Sequence, residues 1–281
     1  MDPSGEVAFA GATPRVVTHP GRSSVAGSVA PMTTALMAGA EPYSATGGPG
    51  GVLVLHGFTG NPSSMRSLSE ALAREGWAVE LPRLPGHGTS VEDMMTTRWS
   101  DWTGAALDAY DALAASHPRV AVVGLSMGGG LAAYVATQRP VAGCVFINPL
   151  VKAPAPELVA GVDELLASGV ALVDAIGSDV KKEGVSESSY ASTPLVCAQS
   201  LFSGVAQLYD DLVSVRAPSL LLQSREDHVV SADNGGDLFA RVSGPIERIW
   251  LEDSYHVATL DNDRELVENE VVAFTHRVLG E

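Results

Sequence analysis

A serine hydroxyl becomes a nucleophile at neutral pH only when a base, normally a histidine oriented by a carboxylate, takes its proton. This chain holds one serine in a setting built for that chemistry, within Gly124-Leu125-Ser126-Met127-Gly128. The five residues follow the apolar run Val120-Ala121-Val122-Val123 and precede a small-residue helical segment. A G-x-S-x-G pattern between strand and helix is a nucleophile elbow, a tight turn that exposes its serine and leaves no room for side chains at the flanking glycines. Ser126 is the expected nucleophile.

On such an elbow the partners follow in the order acid, then histidine. Of the seven histidines, His19, His56, His87 and His117 precede Ser126. His276 falls in the closing helical segment and reads as a surface or packing residue. His228 adjoins the best acid, and side chains of adjacent residues diverge too much to pair. His256, on the short loop Asp253-Ser254-Tyr255-His256 after the last strand, is the expected base. Asp227 is the favoured acid because it ends the strand-to-loop run from Leu220, on the sheet edge where catalytic groups of open α/β sheets collect. Its rivals are Glu226 and Asp253, and its plainer reading is a solvated loop residue or a cap for the next helix.

The oxygen of a tetrahedral intermediate needs backbone donors, each worth about 2.7 to 4 kcal/mol of transition-state stabilisation. The amide of Met127, directly after the nucleophile, is one. The amide of Phe58, in the loop His56-Gly57-Phe58-Thr59-Gly60, is the other, with Gly57 letting the chain turn. The side chains of Phe58 and Met127 are also expected to bind substrate by lining an acyl pocket. His56 reads as a packing or loop-fixing residue. No metal and no organic cofactor is called for by this chemistry.

The elements that must position these groups alternate from residue 51 onward, short β-branched runs with longer helical segments, as in a parallel sheet with crossover helices. Strands are expected at 51–56, 77–81, 120–124, 141–148, 219–223 and 246–251. Helices are expected at 61–75, 99–116, 126–138, 232–241 and 263–279, with a long loop at 82–89. Residues 150–210 break the rhythm: they carry helical pieces at 156–167 and 194–209, a polar stretch between, and no convincing β run. They are read as a helical cap inserted into a core of residues 39–149 and 211–281. Leu158, Val162 and Leu201 are the cap residues expected to set acyl-chain preference.

The 281 residues, 46% of them hydrophobic, suffice for one substantial core. A formal charge of −16 disfavours nucleic acid and anionic lipid and suits a neutral substrate. Two cysteines, Cys144 and Cys197, make neither a disulfide framework nor a zinc site. No stretch approaches the roughly 18 apolar residues of a membrane span. Residues 1–38, rich in Gly, Ser, Thr and Pro, read as a poorly ordered extension. A secretory signal built on Arg15 and Arg22 is interrupted by Pro20, Gly21 and Pro31, so the cytoplasm is the expected location. Oligomeric state does not follow from the sequence.

Five segments together resemble the α/β-hydrolase superfamily, and within it the small bacterial carboxylesterases and monoacylglycerol lipases. They are Leu55-His56-Gly57-Phe58-Thr59-Gly60-Asn61, Pro85-Gly86-His87-Gly88-Thr89, Gly124-Leu125-Ser126-Met127-Gly128-Gly129, Arg225-Glu226-Asp227-His228 and Tyr255-His256-Val257-Ala258-Thr259-Leu260-Asp261. The resemblance spans residues 40–281. It implies an α/β-hydrolase fold with a small helical cap, and by position it makes Ser126 the nucleophile, His256 the base and Asp227 the orienting acid, with Phe58 and Met127 as oxyanion donors. The activity it implies is hydrolysis of small-molecule carboxylic esters with short or medium acyl chains, monoacylglycerols included, through an acyl-serine. A thioesterase or a carbon–carbon bond hydrolase would use the same triad. A noncatalytic ligand-binding relative would usually lack one of its members.

Overall fold

A computed structural model describes residues 14–15 and 35–280 of the chain. The expectation of a poorly ordered extension over residues 1–38 therefore lies almost wholly outside the described residues. In chain order the first half comprises β1 (Pro14–Arg15), β2 (Tyr43–Ala45), β3 (Gly50–Leu55), α1 (Arg66–Arg74), β4 (Ala78–Leu81), α2 (Val91–Met94), α3 (Trp99–Ala114), β5 (Arg119–Leu125), α4 (Met127–Gln138) and β6 (Gly143–Ile147). The second half comprises α5 (Pro156–Ala167), β7 (Leu172–Asp174), β8 (Ser192–Pro194), α6 (Leu195–Asp211), β9 (Ser219–Ser224), α7 (Asp233–Arg241), β10 (Ile246–Leu251) and α8 (Arg264–Leu279).

Seven strands form the main sheet in the order β10-β9-β6-β5-β3-β4-β2. All neighbours run parallel except β2, which is antiparallel to β4 at one edge. The central strands are apolar on both faces because helices cover both. Leu53, Leu55, Val120, Val122, Cys144, Phe146 and Leu221 face one core, shared with α3, α4 and α6. Their alternates Val52, Val54, Ala121, Val123, Val145, Ile147, Leu220 and Leu222 face the other, shared with α1 and α8. Helix α8 meets that second core with Val267, Val271, Phe274 and Val278, a stripe at helical spacing. The architecture is the parallel sheet with crossover helices expected from the alternating pattern, and it is the α/β-hydrolase fold that the resemblance implies.

The boundaries depart from expectation in a few places. The helix expected from residue 61 starts as a 3-10 turn, Pro62–Met65, whose Ser63 N–H is capped by Asn61 Oδ1 at 3.0 Å, before α1 begins. The short elements β2 and α2 were not expected. Neither were β7 and β8, which pair antiparallel with each other, β7 also pairing with β1. The segment 150–210 is thus not helix alone. Three-residue strands are too short to show an alternation, and pairing with remote residues creates them.

Candidate active site

The chain leaves β5 and turns into α4 at Ser126, whose φ of 56° and ψ of −120° lie outside the usual regions for a side-chain-bearing residue. Surrounding bonds hold it there. The Ser126 N–H donates to Ile147 O at 3.0 Å, and its carbonyl accepts from Gly129 at 2.9 Å and Leu150 at 3.0 Å. The flanking glycines are sterically required: a Cβ at Gly124 would run into the Gly128 carbonyl, and one at Gly128 into the Leu55 carbonyl. Local sequence and tertiary packing demand the same turn.

Lining the same cavity as Ser126, the His256 ring places Nδ1 2.8 Å from Asp227 Oδ2, with both side chains under a tenth exposed. An ionised carboxylate only accepts, so Nδ1 carries the proton and Nε2 is left with a free lone pair. The other Asp227 oxygen, Oδ1, accepts from the backbone N–H groups of Val229 and Val230 at 2.9 and 2.8 Å, which fixes the carboxylate before it meets the ring. Burial disfavours charge on His256, but the charge and hydrogen bond of Asp227, aided by Glu187 and Asp179, outweigh it and hold the ring above the ordinary histidine pKa. The backbone of His256 is held too: its N–H donates to Asp179 Oδ2 at 3.1 Å and its carbonyl accepts from Asn148 Nδ2 at 2.8 Å.

The rival groups are elsewhere. Glu226 and Asp253 are more than half exposed and share Lys181. His228 pairs with Asp179, His276 with Glu75 on the surface, and His117 with the Leu113 carbonyl. His19 lies outside the described residues.

The loop after β3 runs beside the elbow. A Cβ at Gly57 would lie 3.5 Å from Ser126 Cβ and 3.9 Å from its Oγ, so glycine lets the Gly57-Phe58 backbone pass over the serine. His56 secures this loop: its Nε2 accepts the Leu84 N–H at 3.2 Å and its Nδ1 donates to Gly57 O at 3.0 Å. Burial and the neighbouring His87 push the His56 pKa down to about 3, so the ring stays neutral and the tautomer fixed. The role expected for His56, fixing the loop, is what its contacts perform.

Ser126, His256 and Phe58 line one cavity that opens to solvent. Its apolar wall includes Leu150, Leu201, Phe202 and Val229. Phe58 meets it with a ring braced edge-on by Trp102, centroids 5.7 Å apart. The side chain of Met127 does not line it. Met127 opens α4 and is fully buried in the core beside Leu131 and Leu55, so the expected acyl contact from its side chain is corrected. As the first residue of the helix it projects away from the elbow, and only its N–H belongs to the unbonded first turn. Of the expected cap residues Leu201 reaches the cavity, whereas Val162 packs into the core and Leu158 does neither.

Glu187 escaped the sequence reading. It lies in the polar stretch between β7 and β8, where no period or motif marks one residue over another, yet it lines the cavity with Ser126 and His256. Its N–H donates to Ser178 Oγ at 2.8 Å, and Gly60 makes room for its carboxylate, since a Cβ there would lie 2.7 Å from Oε1. Burial lifts its pKa to about 7, with His256 pulling the other way.

A model of the alpha/beta hydrolase family matches residues 52–269. The chain belongs to the alpha/beta hydrolase family. This hydrolase is 41% identical over 250 residues to a thermostable monoacylglycerol lipase of Bacillus sp. (strain H-257), covering 87% of this chain and 98% of that one. It is 28% identical over 240 residues to a carboxylesterase of Bacillus subtilis (strain 168), covering 85% and 97%. Among solved structures, a metagenome-derived lipolytic enzyme superposes with a TM-score of 0.83 at 41% identity, over 86% of this chain and 100% of that one. The hydrolase is an enzyme, and none of its described helices is long and apolar enough to cross a membrane.

Proposed function

We propose that this hydrolase cleaves carboxylic esters of short to medium acyl chains, monoacylglycerols among them, with Ser126 as nucleophile, His256 as base and Asp227 as orienting acid. The observation that carries the reading is the buried Asp227–His256 pair, whose His256 lines the same cavity as the strained Ser126. The relatives named a lipase and a carboxylesterase agree with it.

In the reaction His256 Nε2 takes the Ser126 proton as Oγ attacks the ester carbon. The N–H groups of Met127 and Phe58 receive the developing oxyanion. As the tetrahedral intermediate collapses, His256 returns the proton to the leaving alcohol, and an acyl-serine remains. Water, deprotonated by the same nitrogen, then attacks the acyl carbon and the acid departs. The apolar wall around Leu201 and Phe202 takes the acyl chain. Residues 150–210 serve as the cap that closes over it. Glu187, whose carboxylate accepts no hydrogen bond from any described side chain, is the acceptor for the free hydroxyls of a glycerol leaving group.

The deciding experiment is a hydrolysis series on aryl esters and monoacylglycerols of increasing acyl length, comparing wild type with Ser126→Ala. Serine-dependent turnover with a chain-length optimum is expected. A folded protein with no turnover on any of these esters would end the proposal.

A further inference from the structure

Asp179 belongs to the insertion, between β7 and β8, and sits 77 residues before His256. Its side chain is 11% exposed and spends its acceptors on both loops that carry the pair. Oδ2 accepts the His256 N–H and the His228 N–H, each at 3.1 Å. Oδ1 lies 2.8 Å from His228 Nδ1, and the Asp179 carbonyl accepts the Val257 N–H at 3.1 Å. His228 is the residue after Asp227, so one residue spans the acid loop and the base loop.

We infer that Asp179 is a positioning residue that sets the spacing between the Asp227 and His256 loops and holds His256 from the backbone side. This rests on the reading of His256 as base. A carboxylate at Asp227 orients the ring only if the two loops keep their separation, and neither loop bonds the other through its own backbone at this point. Asn148 and the Ser224 hydroxyl tie the base loop to the end of β9, which leaves the acid loop beyond Ser224 to be held by other contacts. Asp179 holds it with hydrogen bonds to charged oxygen, the stronger kind.

A plainer role, tacking the insertion onto the core, is already filled next door. The fully buried Asp261 carboxylate accepts the N–H groups of Lys181 and Lys182 at 2.7 and 2.8 Å, and that of Tyr255 at 2.8 Å. These contacts do not involve the Asp179 side chain, so its removal is expected to read out on His256. The charged groups facing the ring are Asp227, Glu187 and Asp179. Losing one of these carboxylates makes the imidazolium less favourable and moves its titration to lower pH.

The test is kcat, KM and the pH profile of kcat/KM on p-nitrophenyl butyrate for wild type, Asp179→Ala, Asp179→Asn, His228→Ala and His256→Ala. Asp179→Ala is expected to lower kcat about 10- to 100-fold, the scale of an ångström-level misplacement, with KM little changed. Its acid limb moves to lower pH. Asp179→Asn keeps an oxygen for the His256 N–H, so it retains more kcat while showing the same limb shift. His228→Ala keeps its N–H on Asp179 Oδ2 but loses the ring contacts to Asp179 and Tyr255, so its loss of kcat is smaller than that of Asp179→Ala. An Asp179→Asn enzyme with unchanged kcat and limb, or an Asp179→Ala enzyme that changes KM alone, overturns the inference. Full turnover in His256→Ala instead overturns the assignment of the base, whatever Asp179 does.

Discussion

Asn148, at the end of β6, donates through Nδ2 to the His256 carbonyl at 2.8 Å across 108 residues of sequence. The same amide donates to Ser224 Oγ at 2.9 Å and accepts the Ser224 N–H at 2.8 Å. Its φ of 41° puts it in the left-handed region, where asparagine is better tolerated than most residues. The base loop and the end of β9 are thus joined through one buried amide.

Asn148→Ala orphans buried backbone groups on both segments and leaves an ill-suited residue at positive φ. The expected cost is about 1 to 3 kcal/mol in denaturant unfolding, with reduced kcat. A change below roughly 0.5 kcal/mol, the range of ordinary surface substitutions, would mean the loops hold each other by other means.

Groups that act as one unit lose activity together. Ser126→Ala and His256→Ala should each lower kcat by about four to six orders of magnitude, and the double variant should be little worse. Losses that add on a logarithmic scale would show that the two do not share a mechanism.

Glu187 gives a pH dependence with a defined sign. Its carboxyl titrates near 7 in the folded protein against an ordinary 4.5. The folded state therefore binds this proton more tightly, and the group's contribution to stability falls as pH rises from the ordinary value to about 7. Glu187 is only partly covered from solvent, so relieving it should bring on the order of 1 to 2 kcal/mol, below the full conversion at about 1.4 kcal/mol per unit. Glu187→Gln should raise the melting temperature at pH 8 and leave it unchanged at pH 4. In kinetics it should lower the preference for monoacylglycerols over aryl esters at pH 8. Equal preference ratios in the two proteins would remove Glu187 from alcohol recognition.

Acyl-chain selectivity separates residues that the sequence placed together. Leu201→Ala enlarges the cavity wall and should shift the optimum toward longer or bulkier chains. Leu158→Ala, outside the cavity, should not. A shift in the second and none in the first, measured on esters of increasing length, would locate the acyl chain elsewhere.

How much of this was legible follows from where the information sits. The parallel strands read directly, because burial on both faces makes them continuous apolar runs. The elbow read directly because Gly124 answers to a collision with Gly128, four residues on, while Gly128 itself makes room for the Leu55 carbonyl of β3. Chain order narrowed the bases to His256, and the strand end pointed to Asp227. By contrast Met127 was given a side chain in the pocket because an elbow motif says which amide it offers and nothing of which way its side chain leaves the helix. The strands β7 and β8 were missed because their partners, not their own residues, make them strands.

The sequence by itself determined the layered α/β architecture, the strained serine and the short list of residues able to activate it, all of which depend on contacts within a few residues or on a period of two or 3.6. Tertiary structure alone decided which carboxylate meets the ring, that Glu187 enters the cavity, and that Asp179, Asn148 and Asp261 brace the base loop. Those side chains come from irregular segments, where no repeating geometry ties residue type to direction. Their roles come into being only when loops separated by tens of residues are brought to one edge of the sheet.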